Sequence, residues 1–139
     1  MPPLTHGDAQ NLLETLKRGW EARDPDTVMG LFRDDADYRE HPFSEPLAGA
    51  NAIRLRWNEI CATQAHIDFE AERIWVSGSA VLASWHAAFT RRSSGERVRQ
   101  RGFMTLELDD DSLVRRFRQW PLEQVVGTDS TFRAEGEES

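Results

Sequence analysis

The chain contains almost no cysteine and no long apolar segment, and both absences exclude classes of protein. Cys61 is the sole cysteine among 139 residues, which excludes an intramolecular disulfide and a cysteine-rich metal site. The most apolar stretch, residues 80–89, is interrupted by Ser84 and His86. It is far shorter than the roughly 20 residues that a membrane-spanning helix needs. The first residues lack a basic segment followed by an apolar one, so we expect a cytoplasmic protein that binds no membrane.

Motifs for metal and phosphate binding are also missing. No helix carries His-x-x-x-His or Glu-x-x-His spacing, and the glycines are spaced as single turn residues. We therefore expect neither a metal nor any other cofactor. The net charge of −7 argues against attraction to nucleic acid. Eight arginines lie between Arg91 and Arg118, which favours ion pairs on a solvated sheet face over an arginine-lined anion pocket.

Capping signals and apolar spacing predict helices in the first half of the chain. Thr5 and Asp8 have the spacing of a capping box, and Leu13, Leu16 and Trp20 then recur at intervals of three and four. These residues predict a first helix with one apolar face.

Two further helices and an early strand are predicted before residue 66. Asp24 followed by Pro25 is typical of a helix start. Residues 36–41 are predicted to be extended until Pro42. A third helix is predicted with an apolar face formed by Ile53, Trp57, Ile60 and Cys61. On this face Cys61 is interpreted as a core residue.

From His66 onward the hydrophobic period is two, which predicts four antiparallel strands. The phase slips by one between Ala71 and Ile74, and such a slip predicts a β-bulge. Three strands follow over residues 80–92, 97–109 and 113–122, separated by polar turns. We expect one α+β domain over residues 1–126, with helices covering one face of a curved sheet, and a polar tail over residues 127–139.

Several local strings carry a resemblance to a known family: residues 20–24 (WEARD), 31–38 (LFRDDADY) and 42–49 (PFSEPLAG), and Ala52-Ile53 with Trp57 four residues on. Over roughly residues 12–125 the chain resembles the nuclear transport factor two-like superfamily, in its SnoaL-like branch of polyketide cyclases and ketosteroid isomerases. The resemblance implies a cone-shaped fold, with three N-terminal helices packed on a strongly curved, mostly antiparallel sheet. Such proteins include isomerases, cyclases, epoxide hydrolases, dehydratases and non-catalytic binding domains.

The resemblance also implies a position for a catalytic carboxylate. The general base of the steroid isomerases lies at the end of the first strand, and the matching residue here is Glu40. Their helix-one tyrosine is replaced by Leu16, and residues 102–105 offer no acid. Steroid isomerisation is therefore not expected, and the Asp-Arg-Asp arrangement of the epoxide hydrolases is not recognisable either.

Strand alternation supplies a second reason to consider Glu40. Tyr38 and Glu40 are two residues apart and share a face, so we predict a catalytic pair of a carboxylate base and a phenol donor. The alternative is an exposed strand end with Glu40 paired to an arginine. By the same alternation His41 is expected to face away from Glu40, and either Trp85 or His86 faces the interior.

The five tryptophans lie in separate elements, and we expect the fold to bring them around one apolar cavity. Strand alternation leaves open whether Arg118 or Gln119 faces this cavity. The predicted ligand-binding residues are Trp20, Trp57, Trp85, Arg101, Arg118, Gln119 and Trp120.

Three functional hypotheses follow from these patterns. The first is a cofactor-free acid/base enzyme, of isomerase, cyclase, lyase or hydrolase type, acting on a small apolar or aromatic molecule. The second is a non-catalytic small-molecule-binding domain, and the third is a dimeric protein-interaction domain. We expect a homodimer through the outer face of the sheet, with Val98, Leu106 and Leu108 as candidate outward positions.

Overall fold

The computed structural model describes residues 3–128, which form a helical layer packed on one curved sheet. None of the helices within these residues is long and apolar enough to cross a membrane. In chain order the elements are α1 (His6–Glu21), α2 (Pro25–Met29), β1 (Phe32–Arg39), β2 (Leu47–Ala48), α3 (Ala50–Thr63), β3 (Gln64–Ser77), β4 (Ala80–Arg91), β5 (Glu96–Leu108) and β6 (Val114–Thr128).

The helices begin where the capping residues predict. Thr5 Oγ1 accepts from the backbone N–H of Asp8, and the Asp8 carboxylate accepts from the N–H of Thr5, each at 3.0 Å. These bonds satisfy N–H groups that a helix start leaves open. Asp24 caps α2 by accepting from Thr27, and Pro25 occupies the first turn. The capping box and the Asp-Pro start are therefore confirmed.

The sheet has the strand order β2-β1-β6-β5-β4-β3 and is not closed. Every neighbouring pair is antiparallel except β1 and β6, which run parallel. The short strand β2 lies in the segment that the sequence predicts as a loop. This is the expected α+β, cone-like fold.

The end of the domain differs in detail from the prediction. Strand β6 continues beyond residue 122, and its last partners pair Glu96 with Thr128. Of the predicted polar tail, residues 129–139 lie outside the described part of the chain.

A bulge in β3 decides which residues face the core beyond it. The pairing of β3 with β4 shifts between Ala71 and Arg73, as the phase slip predicts. After the shift Ile74 packs against the core, whereas Trp75 is 41% exposed on the opposite face.

The inner face of the sheet and the apolar faces of the helices form one core. Val98, Leu106 and Leu108 belong to it and are almost fully buried, so their proposed role as outward dimer positions is wrong. Side chains alternate between the two faces of β5, and these three residues lie on its inner face. Phe103, at an alternate position, lies on the outer face.

Candidate functional site

A cavity of about 90 Å³ lies between α1, α3 and the inner faces of β1, β5 and β6, and it opens to solvent. Its floor is apolar and its mouth is polar. This volume holds several water molecules or a small organic group. The apolar lining residues are Leu16, Trp20, Trp57, Ile60, Met104, Phe117 and Pro121. The polar lining residues are Tyr38, Glu40, His41, Arg56, Gln64, Gln100 and Gln119.

A hydrogen-bonded chain of three side chains forms one wall of this cavity. The phenol of Tyr38 donates to Glu40 Oε2 at 2.9 Å, and Arg56 Nε donates to Glu40 Oε1 at 2.6 Å. Each carboxylate oxygen therefore has one protein donor and keeps a lone pair for a further partner. The Glu40 side chain is 24% exposed, so a molecule in the cavity can reach it.

The electrostatics of this wall favour a neutral phenol at Tyr38. Burial raises the pKa of Tyr38 well above 10.0, and the negative charge of Glu40 raises it further. Arg56 supplies the compensating positive charge, and its Nη1 is held by Glu59 at 3.1 Å. The phenol therefore remains a proton donor in its hydrogen bond to Glu40 at neutral pH.

Two indole N–H groups face polar neighbours at this site. Trp20 Nε1 donates to Gln64 Oε1 at 2.8 Å. Trp57 Nε1 is buried and has no acceptor in hydrogen-bonding geometry. It lies close enough to the Tyr38 phenol to have a small effect on its pKa, in the lowering direction. Because the Trp57 N–H lies near the phenol oxygen, it disfavours a hydroxyl hydrogen on its own side of that oxygen. The hydroxyl hydrogen of Tyr38 is therefore directed at Glu40.

The structure places five of the nine predicted site residues around the cavity: Trp20, Tyr38, Glu40, Trp57 and Gln119. The other four lie elsewhere. Trp85 is fully buried in the core beneath Phe69. Trp120 is 44% exposed on the outer face, where it contacts Phe103. The expectation that the tryptophans surround one cavity is therefore wrong.

The two remaining residues are arginines engaged in ion pairs outside the cavity. Arg101 pairs with Glu72 at 3.4 Å on the outer face, and Arg118 pairs with Asp37 at 2.8 Å. Because Phe117, Gln119 and Pro121 take the inward parity of β6, the intervening Arg118 points outward. The alternation that the sequence leaves open is thus resolved in favour of Gln119 as the cavity residue.

Of two histidines that the sequence analysis considered, His41 departs from simple strand alternation and His86 follows it. His41 lines the cavity together with Glu40, contrary to expectation, because β1 ends at Arg39 and the chain turns over residues 41–44. His86 lies on the outer face and its Nδ1 is 3.4 Å from Glu72.

The sequence allows an arginine partner for Glu40 but does not identify Arg56, which makes the shortest contact to Glu40. Arg56 directly precedes Trp57 on α3. Sixteen positions in the sequence separate it from its partner Glu40. Its placement beside buried Trp57, at the edge of the apolar face of α3, is the signal that would have suggested a site role. Gln64 and Gln100 were not predicted either, because no regular sequence spacing relates them to the residues of β1.

No group of three or more histidine, cysteine, aspartate or glutamate side chains within residues 3–128 is arranged to hold a metal ion.

Comparison with known proteins now adds the family. The SnoaL-like domain matches residues 13–116, which is more than half of the chain. The chain belongs to the SnoaL-like family. No curated protein sequence matches it.

Two solved structures of similar shape share little sequence with the chain. An epoxide hydrolase of the LEH-like type from M. tuberculosis aligns with a TM-score of 0.70 and 22% identity over 84% of both chains. The epoxide hydrolase/cyclase-like enzyme SalBIII, of pyran ring formation in the polyether salinomycin, aligns with a TM-score of 0.77 and 15% identity. That alignment covers 86% of this chain and 97% of SalBIII. At such identities the similarity establishes the fold of this SnoaL-like protein and leaves its reaction open.

Proposed function

We propose that this SnoaL-like protein is an acid/base enzyme in which Glu40 takes a proton from a small uncharged molecule bound in the cavity. The observation that carries the proposal is the Glu40 carboxylate, which lies in the wall of an apolar cavity and is fixed by Tyr38 and Arg56. A positioned carboxylate with a free lone pair is suited to general base catalysis. Tyr38 and Arg56 hold the base in one orientation.

The surroundings of Glu40 support a proton-transfer role over a structural one. An ion pair that serves stability alone does not require a cavity beside it, whereas a base requires space for its substrate. The apolar floor of Leu16, Ile60 and Met104 suits the body of an apolar or aromatic substrate. The names of the similar proteins, an epoxide hydrolase and a cyclase-like enzyme, are compatible with acid/base chemistry on such molecules.

A generic probe tests the proposal without knowledge of the natural substrate. In 5-nitrobenzisoxazole a base removes the proton from C3, the C–H electrons form the nitrile, and the N–O electrons leave as a coloured phenolate. We expect turnover by the wild type and a loss of about a hundredfold or more in Glu40→Gln. The matched control is Glu45→Gln, which changes an exposed loop carboxylate outside the cavity lining. Equal turnover by the wild type and Glu40→Gln would contradict the proposal.

A non-catalytic small-molecule-binding domain is the second candidate. It is favoured by the hydrogen bonds that Tyr38 and Arg56 donate to Glu40, because a carboxylate held in this way can also serve only to shape the wall of the cavity. Under this alternative the cavity binds an uncharged ligand, and no Glu40-dependent turnover of the probe is seen.

We also propose that two copies of the chain associate through the outer face of the sheet. Support comes from an aromatic row on that face, in which Trp75 contacts Phe103 at 6.0 Å and Phe103 contacts Trp120 at 6.3 Å. Trp75 and Trp120 are each more than 40% exposed, and apolar patches of this kind mark protein interfaces. A second copy offers the same row and is therefore a complementary partner.

A further inference from the structure

Gln119 is the cavity glutamine whose carboxamide has no partner among the described residues. Gln64 accepts from Trp20 Nε1 at 2.8 Å, and Gln100 donates to Glu123 at 3.1 Å. Glu123 is in turn held by Arg91 at 2.8 Å. Gln119 makes no such bond and is partly exposed where it lines the cavity. Its amide N–H groups are therefore available to a bound molecule.

Gln119 lies next to the end of β1 that leads into Glu40. In the parallel pairing of β1 with β6, Tyr38 lies opposite Phe117 and Arg39 lies opposite Arg118. Glu40 follows Arg39 directly, just after β1 ends, and Gln119 follows Arg118 on β6. Both side chains line the same cavity.

The strand that carries Gln119 packs closely on its neighbour. At Gly102, opposite Pro121, an added Cβ would lie 2.7 Å from the carbonyl oxygen of Trp120. Strands β5 and β6 therefore approach closely at the position next to Gln119, which requires glycine there.

The charges around the cavity indicate which substrates fit. Arg56 pairs with both Glu40 and the more exposed Glu59, and Arg91 pairs with Glu123, the partner of Gln100. The glutamine side chains carry no charge. An anion would therefore find no free positive charge on these arginines, and a cation would compete with Arg56 for Glu40, so either would lose its hydration without a free counter-charge.

We infer that the Gln119 amide donates a hydrogen bond to an oxygen of an uncharged substrate whose reacting atom faces Glu40. The substrate class is thus a neutral molecule with an acceptor oxygen, such as a carbonyl, close to the atom that loses its proton. This inference rests on the proposed role of Glu40. Gln119 is a binding residue that aligns the substrate with the base.

Cyclohexanone is a suitable probe because it is small, uncharged and carries one acceptor oxygen. We expect the infrared carbonyl stretch of the bound ketone to lie at lower frequency in the wild type than in Gln119→Met. Loss of one neutral hydrogen bond is expected to weaken binding by about threefold to tenfold. Gln124→Met is the matched control, since Gln124 is an exposed residue of the same strand that does not line the cavity. Cyclohexanecarboxylate and cyclohexylammonium, with the same ring, are expected to bind more weakly than the ketone.

Two outcomes would overturn the inference. One is an unchanged affinity and carbonyl frequency in Gln119→Met, and the other is tighter binding of either charged analogue. Thermal unfolding of Gln119→Met, expected to match that of Gln124→Met, separates loss of the bond from loss of the fold. Turnover of 5-nitrobenzisoxazole is measured in parallel. If Glu40→Gln lowers turnover but Gln119→Met leaves ketone binding unchanged, this inference alone is rejected. If Gln119→Met weakens ketone binding but Glu40→Gln leaves turnover unchanged, the proposed function alone is rejected.

Discussion

The phenol of Tyr38 in β1 donates to the carboxylate of Glu40, the residue that directly follows the strand, at 2.9 Å in the wall of the cavity. Residues two apart on a strand share a face, so the backbone itself brings the pair together. Tyr38 is 1% exposed and stacks on Phe117 with ring centroids 4.7 Å apart. The donor to the proposed base is therefore rigid.

Tyr38 is the only tyrosine of the chain, which makes its titration directly observable. Burial and the charge of Glu40 raise its pKa above 10.0 in the folded state. Because the folded pKa is raised, this contribution to stability is fully present below pH 10.0 and is lost as pH rises toward the folded pKa. We expect the phenolate absorbance to develop together with unfolding. An absorbance change that follows an ordinary tyrosine titration in the folded protein would contradict the geometry.

Arg56 is expected to act as a positioning residue for Glu40. Arg56 donates one of the two hydrogen bonds that orient the carboxylate, so Arg56→Met should lower the turnover of 5-nitrobenzisoxazole, and Arg56→Lys should retain part of it. Arg54→Met is the control, since Arg54 lies on the same helix and pairs with Asp26 instead. Turnover unchanged by Arg56→Met would contradict the positioning role.

Glu40→Gln is expected to destabilise the fold by about 1–2 kcal/mol, because hydrogen bonds to a charged acceptor are lost and an amide N–H faces a donor. Without a partner for Glu40 the opposite sign would be expected, since a buried, unpaired carboxylate costs stability. Arg56 changes the expectation. Urea unfolding of the two proteins measures the difference, and a variant as stable as the wild type would contradict the geometry of the pair.

The proposed dimer makes a prediction about the outer face. Sedimentation of the wild type at micromolar concentration should give twice the chain mass of 15.9 kDa. Trp120→Glu should give the single chain, because it places a charge at one end of the aromatic row, on one of its two most exposed residues. The control is Leu55→Glu, which alters an exposed apolar residue on α3 instead. A wild type that sediments as one chain would reject the dimer.

Local signals in the sequence predicted the fold well. The capping residues Thr5 and Asp24 located two helix starts, and the phase slip after Ala71 located the bulge of β3. These features depend on neighbours in the chain, so the sequence contains them directly. The strand β2 was missed because two residues are too few for a periodic pattern.

The candidate site was predictable only where strand parity determines it. Parity brought Tyr38 and Glu40 to one face, but the partner Arg56 comes from a helix and depends on how α3 packs on the sheet. The expectation for Trp120 was wrong because it assigned aromatics to the cavity by residue type, without the parity of β6. The unpredicted parts are thus contacts between elements far apart in the chain.

The most direct test of the account is the turnover of 5-nitrobenzisoxazole labelled with deuterium at C3, measured with the wild type and with Glu40→Gln. If Glu40 removes the proton, the wild type reacts more slowly with the deuterated probe, and Glu40→Gln loses about a hundredfold or more with either probe. Turnover that is the same in both proteins and insensitive to deuterium would contradict the central claim.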